Sequence, residues 1–87
     1  MYVASEKCLR GHVIATVVSP HPILCAFACL RNNRCRSMNY YRAEGLCELN
    51  GVGTDGARTS DWVYAADCVY YQSQNTTIGW PVALEAP

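Results

Sequence analysis

The residues of this chain best equipped for chemistry are its six cysteines, Cys8, Cys25, Cys29, Cys35, Cys47 and Cys68. A cysteine can attack an electrophile, ligate a metal or bond a second sulfur. Zinc sites use close, repeated cysteine pairs, often with paired histidines. Cys25-x3-Cys29 meets that loosely, but His12 and His21 are not at ligand spacing from each other. No metal and no cofactor is therefore assigned. An even cysteine count in a chain of 87 residues fits three disulfides. Such bonds persist in an oxidising compartment, so the expected location is extracellular, in a secreted protein or a membrane-protein ectodomain.

Catalysis requires a nucleophile, a base and an orienting group. Ser19 and His21 are close in sequence, but Ser19 is placed to cap a helix. Fully paired cysteines leave no free thiol. Asp55, Asp61 and Asp67 fall in loops without the paired carboxylates of a glycosidase. A domain this small has little volume for a deep, dry pocket. The expectation is a protein that is not an enzyme.

Other residues suit recognition. Arg31, Arg34 and Arg36 cluster in a short stretch. The guanidinium fork pairs well with sulfate and carboxylate, so this is a candidate sulfated-glycan patch. The plainer reading is a set of solvated loop charges balanced by Glu44 and Glu48. Tyr40, Tyr41, Tyr64, Tyr70, Tyr71, Trp62 and Trp80 are numerous for the length. Aromatic side chains anchor many interfaces, although half of these are expected in the core. Strand alternation predicts one exposed member in each Tyr-Tyr pair, namely Tyr41 and either Tyr70 or Tyr71. Asn75-Thr76-Thr77 is the single N-glycosylation sequon.

Bulk properties narrow the partners. Lys7 and six arginines meet seven carboxylates, for a net charge of zero. That excludes the basic footprint of a nucleic-acid binder. No apolar run is long enough to insert in a membrane. Residues 1–10 lack the basic-then-apolar order of a secretory signal. The chain is accordingly expected to be a module cut from a larger extracellular protein with neighbouring domains.

The elements that must position these residues follow from local pattern. Residues 1–7 read as an entry segment. His12–Val18 is rich in β-branched residues and predicts a strand. Ser19 offers a helix N-cap, and Pro20 and Pro22 suit a first helical turn. A helix is predicted from near Pro20 to Asn32 or Asn33, with His21 as the alternative cap. Cys25 and Cys29, four apart, share one helix face. Arg36–Tyr40 and Leu46–Asn50 each alternate, and predict a hairpin with its loop at Tyr41–Gly45. A glycine-rich loop follows from Gly51 to about Ser60. Trp62–Tyr64 and Cys68–Tyr71 predict further strands. Residues 8–71 would form the domain, and 72–87 a tail or inter-domain linker. One helix on an antiparallel sheet is an α+β arrangement. Six cysteines allow fifteen pairings, and spacing alone selects none.

The run from Ser19 to Asn50 reads S-x5-C-x3-C-L-x-N-x2-C-x-S-x-N-Y-x6-C-E-L-N. This pattern resembles the PAN/apple domain family, and Gly11 and Cys68-Val69-Tyr70-Tyr71 also fit. The resemblance covers about residues 8 to 71. Met38 stands where the family often has an aromatic residue. The resemblance implies a curved antiparallel sheet cradling one helix. It also implies a helix-to-sheet bridge, taken as Cys25–Cys47, and a helix-exit bridge, taken as Cys29–Cys35. Many members link their termini too, as Cys8–Cys68 would here, and this nested set is preferred. Members bind proteins or carbohydrates without catalysis, through surfaces that vary from member to member. The implied function is a protein-binding, adhesive module. A sulfated-glycan-binding module of the same fold is the alternative, and a stand-alone secreted inhibitor is a third reading.

Overall fold

The computed structural model describes residues 2–72. Its elements are β1 (Tyr2–Leu9), β2 (Val13–Val18), α1 (Pro22–Arg31), β3 (Ser37–Tyr41), β4 (Leu46–Asn50) and β5 (Trp62–Gln72), with two 3-10 turns at Thr54–Gly56 and Thr59–Asp61. The strands form one sheet in the order β1-β5-β3-β4-β2, and every ladder is antiparallel. The described residues thus form a small, disulfide-rich α+β domain with one helix and five strands.

The helix begins two residues later than Ser19 and Pro20 suggested. His21 is the cap, in an extended conformation and without a side-chain cap bond, and Pro22 occupies the first turn. Ser19 is drawn into a local turn instead, its Oγ accepting the His21 N–H at 3.3 Å. At the far end, the Asn32 N–H bonds the Cys29 carbonyl at 3.1 Å and closes the helix.

Two readings of the flanks are corrected by the ladder. Residues 2–9 are a strand, not an entry segment, and they pair with β5 from Tyr2↔Gln72 to Leu9↔Trp62. Paired structure therefore extends beyond residues 8–71 at both ends. The runs Trp62–Tyr64 and Cys68–Tyr71 belong to one strand of 11 residues. Between Ser5↔Val69 and Lys7↔Tyr64 the register jumps, so residues 65–68 face Glu6 alone. Glu6 has φ 63, a left-handed conformation that an L side chain adopts at a cost. This irregularity bends the β1–β5 ribbon.

The bend gives the sheet two covered faces. Met38, Tyr40, Cys47 and Leu49 pack under Cys25, Ala26 and Cys29 of the helix. On the opposite face Ser37, Asn39 and Asn50 are also fully buried. There the folded ribbon lies over them: Leu9 bonds the Asn39 side chain, and Trp62 meets Tyr70 edge-on with centroids 4.7 Å apart. Disulfides join Cys8 to Cys68, Cys25 to Cys47 and Cys29 to Cys35. The first fastens the ribbon to itself across its irregularity. The second bolts the helix to β4, and the third ties the helix to its exit loop.

Candidate binding face

Helix α1 reads PILCAFACLR and is apolar up to its last residue. A helix that is apolar all round is ordinarily covered all round. Here one side is buried through Cys25, Ala26 and Cys29. The other side carries Leu24, Phe27 and Leu30, which remain 49%, 40% and 45% exposed. Their i, i+3, i+6 spacing sets them in a stripe along the helix. Two disulfides hold the backbone beneath them, through Cys25 and Cys29. The signal was present in the sequence: the cysteines mark the buried side, and the apolar residues out of phase with them must face away.

The stripe runs into two of the arginines. Arg31 ends the helix and Arg34 stands in the exit loop, both exposed, and neither has an ion-pair partner among the described residues. The Asn32 Oδ1 accepts the Arg34 backbone N–H at 3.0 Å and shapes that loop. Arg36 serves differently. Its Nη1 donates to the Asn33 carbonyl at 3.0 Å and the Cys35 carbonyl at 3.4 Å, so it braces the loop. The expected balancing by Glu44 and Glu48 is not what the fold provides. Glu44 lies in the turn between β3 and β4, at the far end of the sheet. Glu48 accepts from Asn39 Nδ2 at 3.1 Å and from the Tyr41 hydroxyl at 3.2 Å.

Tyr41 therefore does not join the arginines. It ends β3 while Arg36 precedes its start, a separation of roughly 16 Å at strand rise. Nor is it the exposed tyrosine expected from alternation. It is half-buried, and its hydroxyl pKa is pushed up to about 12, first by burial and then by the charge and hydrogen bond of Glu48. Tyr70 is fully buried, its hydroxyl bonding Gln72 Oε1 at 2.7 Å. Tyr71 is half-buried against the helix-side core, and burial raises its pKa. Among the tyrosines whose side chains are described, the one that faces solvent is Tyr64, at 76% exposed. It lies in the part of β5 that pairs with β1 and not with β3.

The sequence motif proves to be internal architecture. Asn39 Oδ1 accepts the Leu9 N–H at 3.0 Å while its Nδ2 donates to the Leu9 carbonyl at 2.7 Å. One buried side-chain amide thereby satisfies both backbone groups of the buried Leu9 and pins the ribbon to the sheet. Ser37 Oγ donates to the Val52 carbonyl at 2.6 Å and accepts from Asn50 Nδ2 at 3.2 Å. At the same end of the ribbon as Leu9, His12 Nε2 lies 2.9 Å from Asp61 Oδ2. The His12 hydrogen bond and the Arg58 N–H hold the Asp61 carboxyl below its ordinary value. Among the described residues no cluster of three or more His, Cys, Asp or Glu is arranged for a metal, and no helix is long and apolar enough to cross a membrane. Asn75 and Trp80 lie outside the described residues.

A search of curated proteins found no match to this chain. The family model for the PAN domain matches residues 2–75. That span includes all five strands, the helix and all six cysteines, so this chain belongs to the PAN domain family.

Proposed function

We propose that this chain is an extracellular, non-catalytic binding module whose recognition face is the outer side of α1 with its Arg31–Arg34 end. PAN domains are generally binding modules of this kind, typical of extracellular proteins. One observation carries the reading: three apolar side chains stand solvent-facing on a helix that two disulfides hold in place. An apolar centre with an arginine rim is the composition of a protein interface. The ligand it fits is a protein surface with an apolar cleft flanked by carboxylates, within an adhesive assembly. The module comprises residues 2–72, supported by β1 pairing and the extent of the family match.

Capture of extracellular ligands on the immobilised chain tests this. Phe27→Asp and Arg31→Glu should each lower capture at least about tenfold, the effect of truncating one interface anchor. Tyr64→Ala, on the bent ribbon, should leave it unchanged. Equal capture by all four proteins would refute the assignment of the face.

A sulfated glycan is the second reading, favoured by the exposed Arg31 and Arg34, which have no ion-pair partner among the described residues. Arg36, engaged by two carbonyls, contributes less than its place in the cluster suggested. Retention on an immobilised sulfated glycan that falls steeply with salt, and falls further in Arg31→Ala/Arg34→Ala, would support it. No retention at low salt would end it.

A further inference from the structure

We infer that two copies of this chain associate through the open sheet edge at β2, pairing β2 with β2 antiparallel about a two-fold axis at Thr16. This surface is the rim of the sheet, so it does not rest on the recognition face assigned to α1.

The direction of the backbone groups comes first. β1 and β2 stand at the two ends of the strand order, and each has one neighbour. The Ser19 N–H bonds the Gly45 carbonyl at 2.7 Å, on the β4 side. Backbone groups point to alternate sides along a strand. Val17 and Ala15 therefore point at β4, opposite Cys47 and Leu49. Thr16 and Val18 point their N–H and C=O groups outward, where neither has a hydrogen-bond partner among the described residues.

The two edges of the sheet are not alike. Along β1 the exposed charges of Glu6 and Lys7 and the left-handed Glu6 break the rim, and such features discourage an added strand. β2 reads VIATVV, without charge or proline, and five of its six residues are β-branched. Its irregularity falls at its start, between Val13 and Ala15, and leaves residues 15–18 regular. Val13 and Val18 are 41% and 82% exposed, and Thr16 is exposed between them. An uncharged, β-branched edge of this kind is a template for a further strand.

The edge is complementary to itself. Pairing about Thr16 lets the two Thr16 residues exchange both backbone bonds and keeps like faces of the sheet together. It sets the exposed Val18 of one copy beside Val13 and Ile14 of the other, and β-branched and Thr–Thr cross-strand pairs are favourable. Charge agrees. A Cβ at Gly51 would stand 3.9 Å from the Arg34 carbonyl and 4.0 Å from the His12 carbonyl, so the Arg34 loop borders the start of β2. Glu44 precedes Gly45, which borders the end of β2 through Ser19. Arg34 and Glu44 are both exposed and have no ion-pair partner among the described residues. Arg42, in the same turn as Glu44, is held toward β5 by the Ala66 carbonyl at 2.9 Å. Antiparallel pairing thus brings Arg34 of each copy to the sheet end that carries Glu44 of the other. The rim is ~17 Å long at strand rise, less than a standard interface of ~800 Å² per partner requires. The dimer is accordingly weak, and the blocked β1 edge closes it at two copies.

Sedimentation of the full chain from about 10 μM to about 1 mM, where weak interfaces associate, reads the dimer. Thr16→Pro removes an N–H that makes no bond to β4, so its fold should survive, as circular dichroism would check. Thr16→Pro and Val18→Lys should each weaken association at least about tenfold. Glu44→Arg should weaken it, and Arg34→Glu/Glu44→Arg should restore it. Exchange of the Thr16 and Val18 amides should slow as concentration rises, while the Val17 amide is protected throughout. Phe27→Asp should leave the dimer unchanged while abolishing capture by the α1 face, so the two proposals fail separately. A chain still monomeric at the highest concentration would overturn the inference and leave the edge to a strand from another protein. So would association that survives both Thr16→Pro and Val18→Lys, association lost only in Phe27→Asp, or assemblies that grow beyond two copies.

Discussion

Asn39→Ala is the substitution whose cost the structure defines most closely. The Asn39 side chain is fully buried and serves both backbone groups of Leu9, itself 1% exposed. Alanine leaves that N–H and that carbonyl without partners in a place water does not readily reach. Each orphaned buried group costs about 1–3 kcal/mol, so the expected loss is about 3 kcal/mol or more. That is a large share of the roughly 5–15 kcal/mol that holds a domain together. Glu48 loses a donor as well, but it is only half-buried and keeps the Tyr41 hydroxyl. Equilibrium urea unfolding with the disulfides intact is the assay. With a slope near 1 kcal/mol/M, typical of a small domain, the midpoint should fall by about 3 M. Leu9 amide exchange should accelerate in parallel, because the ribbon is no longer pinned. Asn39→Asp keeps the acceptor for the Leu9 N–H but turns an acceptor toward the Leu9 carbonyl and Glu48. Its introduced carboxyl would have a raised pKa in the fold, so its penalty should ease as pH falls. A loss below about 1 kcal/mol in Asn39→Ala, with unchanged Leu9 exchange, would refute the pinning argument.

Other consequences follow from single contacts. The Tyr41 hydroxyl titrates at about 12 in the folded protein. A raised folded value means that its contribution to stability is complete below the ordinary tyrosine range and is lost as pH climbs through about 12. Glu48→Gln should bring the ultraviolet titration of Tyr41 down toward, but not to, the ordinary value, because burial remains. Asp61 has the opposite sign: its carboxyl is held low by His12 and the Arg58 N–H. Its contribution is present above the ordinary carboxylate range and lost as pH falls through the folded value, so His12→Ala should flatten the acid limb of a stability-versus-pH curve. Gly45 has φ +60, and a Cβ there would stand 2.9 Å from the Ser19 carbonyl oxygen. Gly45→Ala should cost about 1–3 kcal/mol in thermal unfolding, from left-handed strain and the shifted Ser19 contact. Removing Cys25–Cys47 as a double alanine opens a loop with a sequence separation of 22, for a loss of about 3 kcal/mol in the chain-entropy model. Amide exchange should then show α1 opening before the β3–β4 hairpin.

The helix and the central hairpin could be read from the sequence because their signals are local. Prolines open the helix, two asparagines close it, and the Arg36–Tyr40 and Leu46–Asn50 alternation survives folding. The helix start shifted only because the Ser19 hydroxyl satisfies a neighbouring turn rather than the helix end. Strand β1 was missed because YVASEKCL mixes polar and apolar residues and carries a left-handed Glu6. Its pairing depends on β5, some sixty residues away. Strand β5 looked like two strands because Ala65-Ala66-Asp67 interrupts the alternation, and a bulge and a turn look alike at that range.

The exposed tyrosines failed for a different reason. Alternation predicts exposure only when one face of a sheet is wet. Here α1 covers one face and the bent ribbon the other, so Tyr41, Tyr70 and Tyr71 are all at least half-buried. The same geometry explains the arginines. Their adjacency in sequence survives, but Arg36 turns back onto loop carbonyls while Arg31 and Arg34 face outward. The Leu24, Phe27 and Leu30 stripe required knowing which helix side the cysteines occupy, which their four-residue spacing already implied.

The outer face of α1 keeps its orientation because sulfur clamps the helix to the sheet and to its exit loop. Mass spectrometry of peptides cut under non-reducing conditions addresses this most directly. The account predicts three linked pairs, Cys8 with Cys68, Cys25 with Cys47 and Cys29 with Cys35, and no alkylatable thiol. A folded protein in which Cys25 is free, or is joined to any residue other than Cys47, would contradict it.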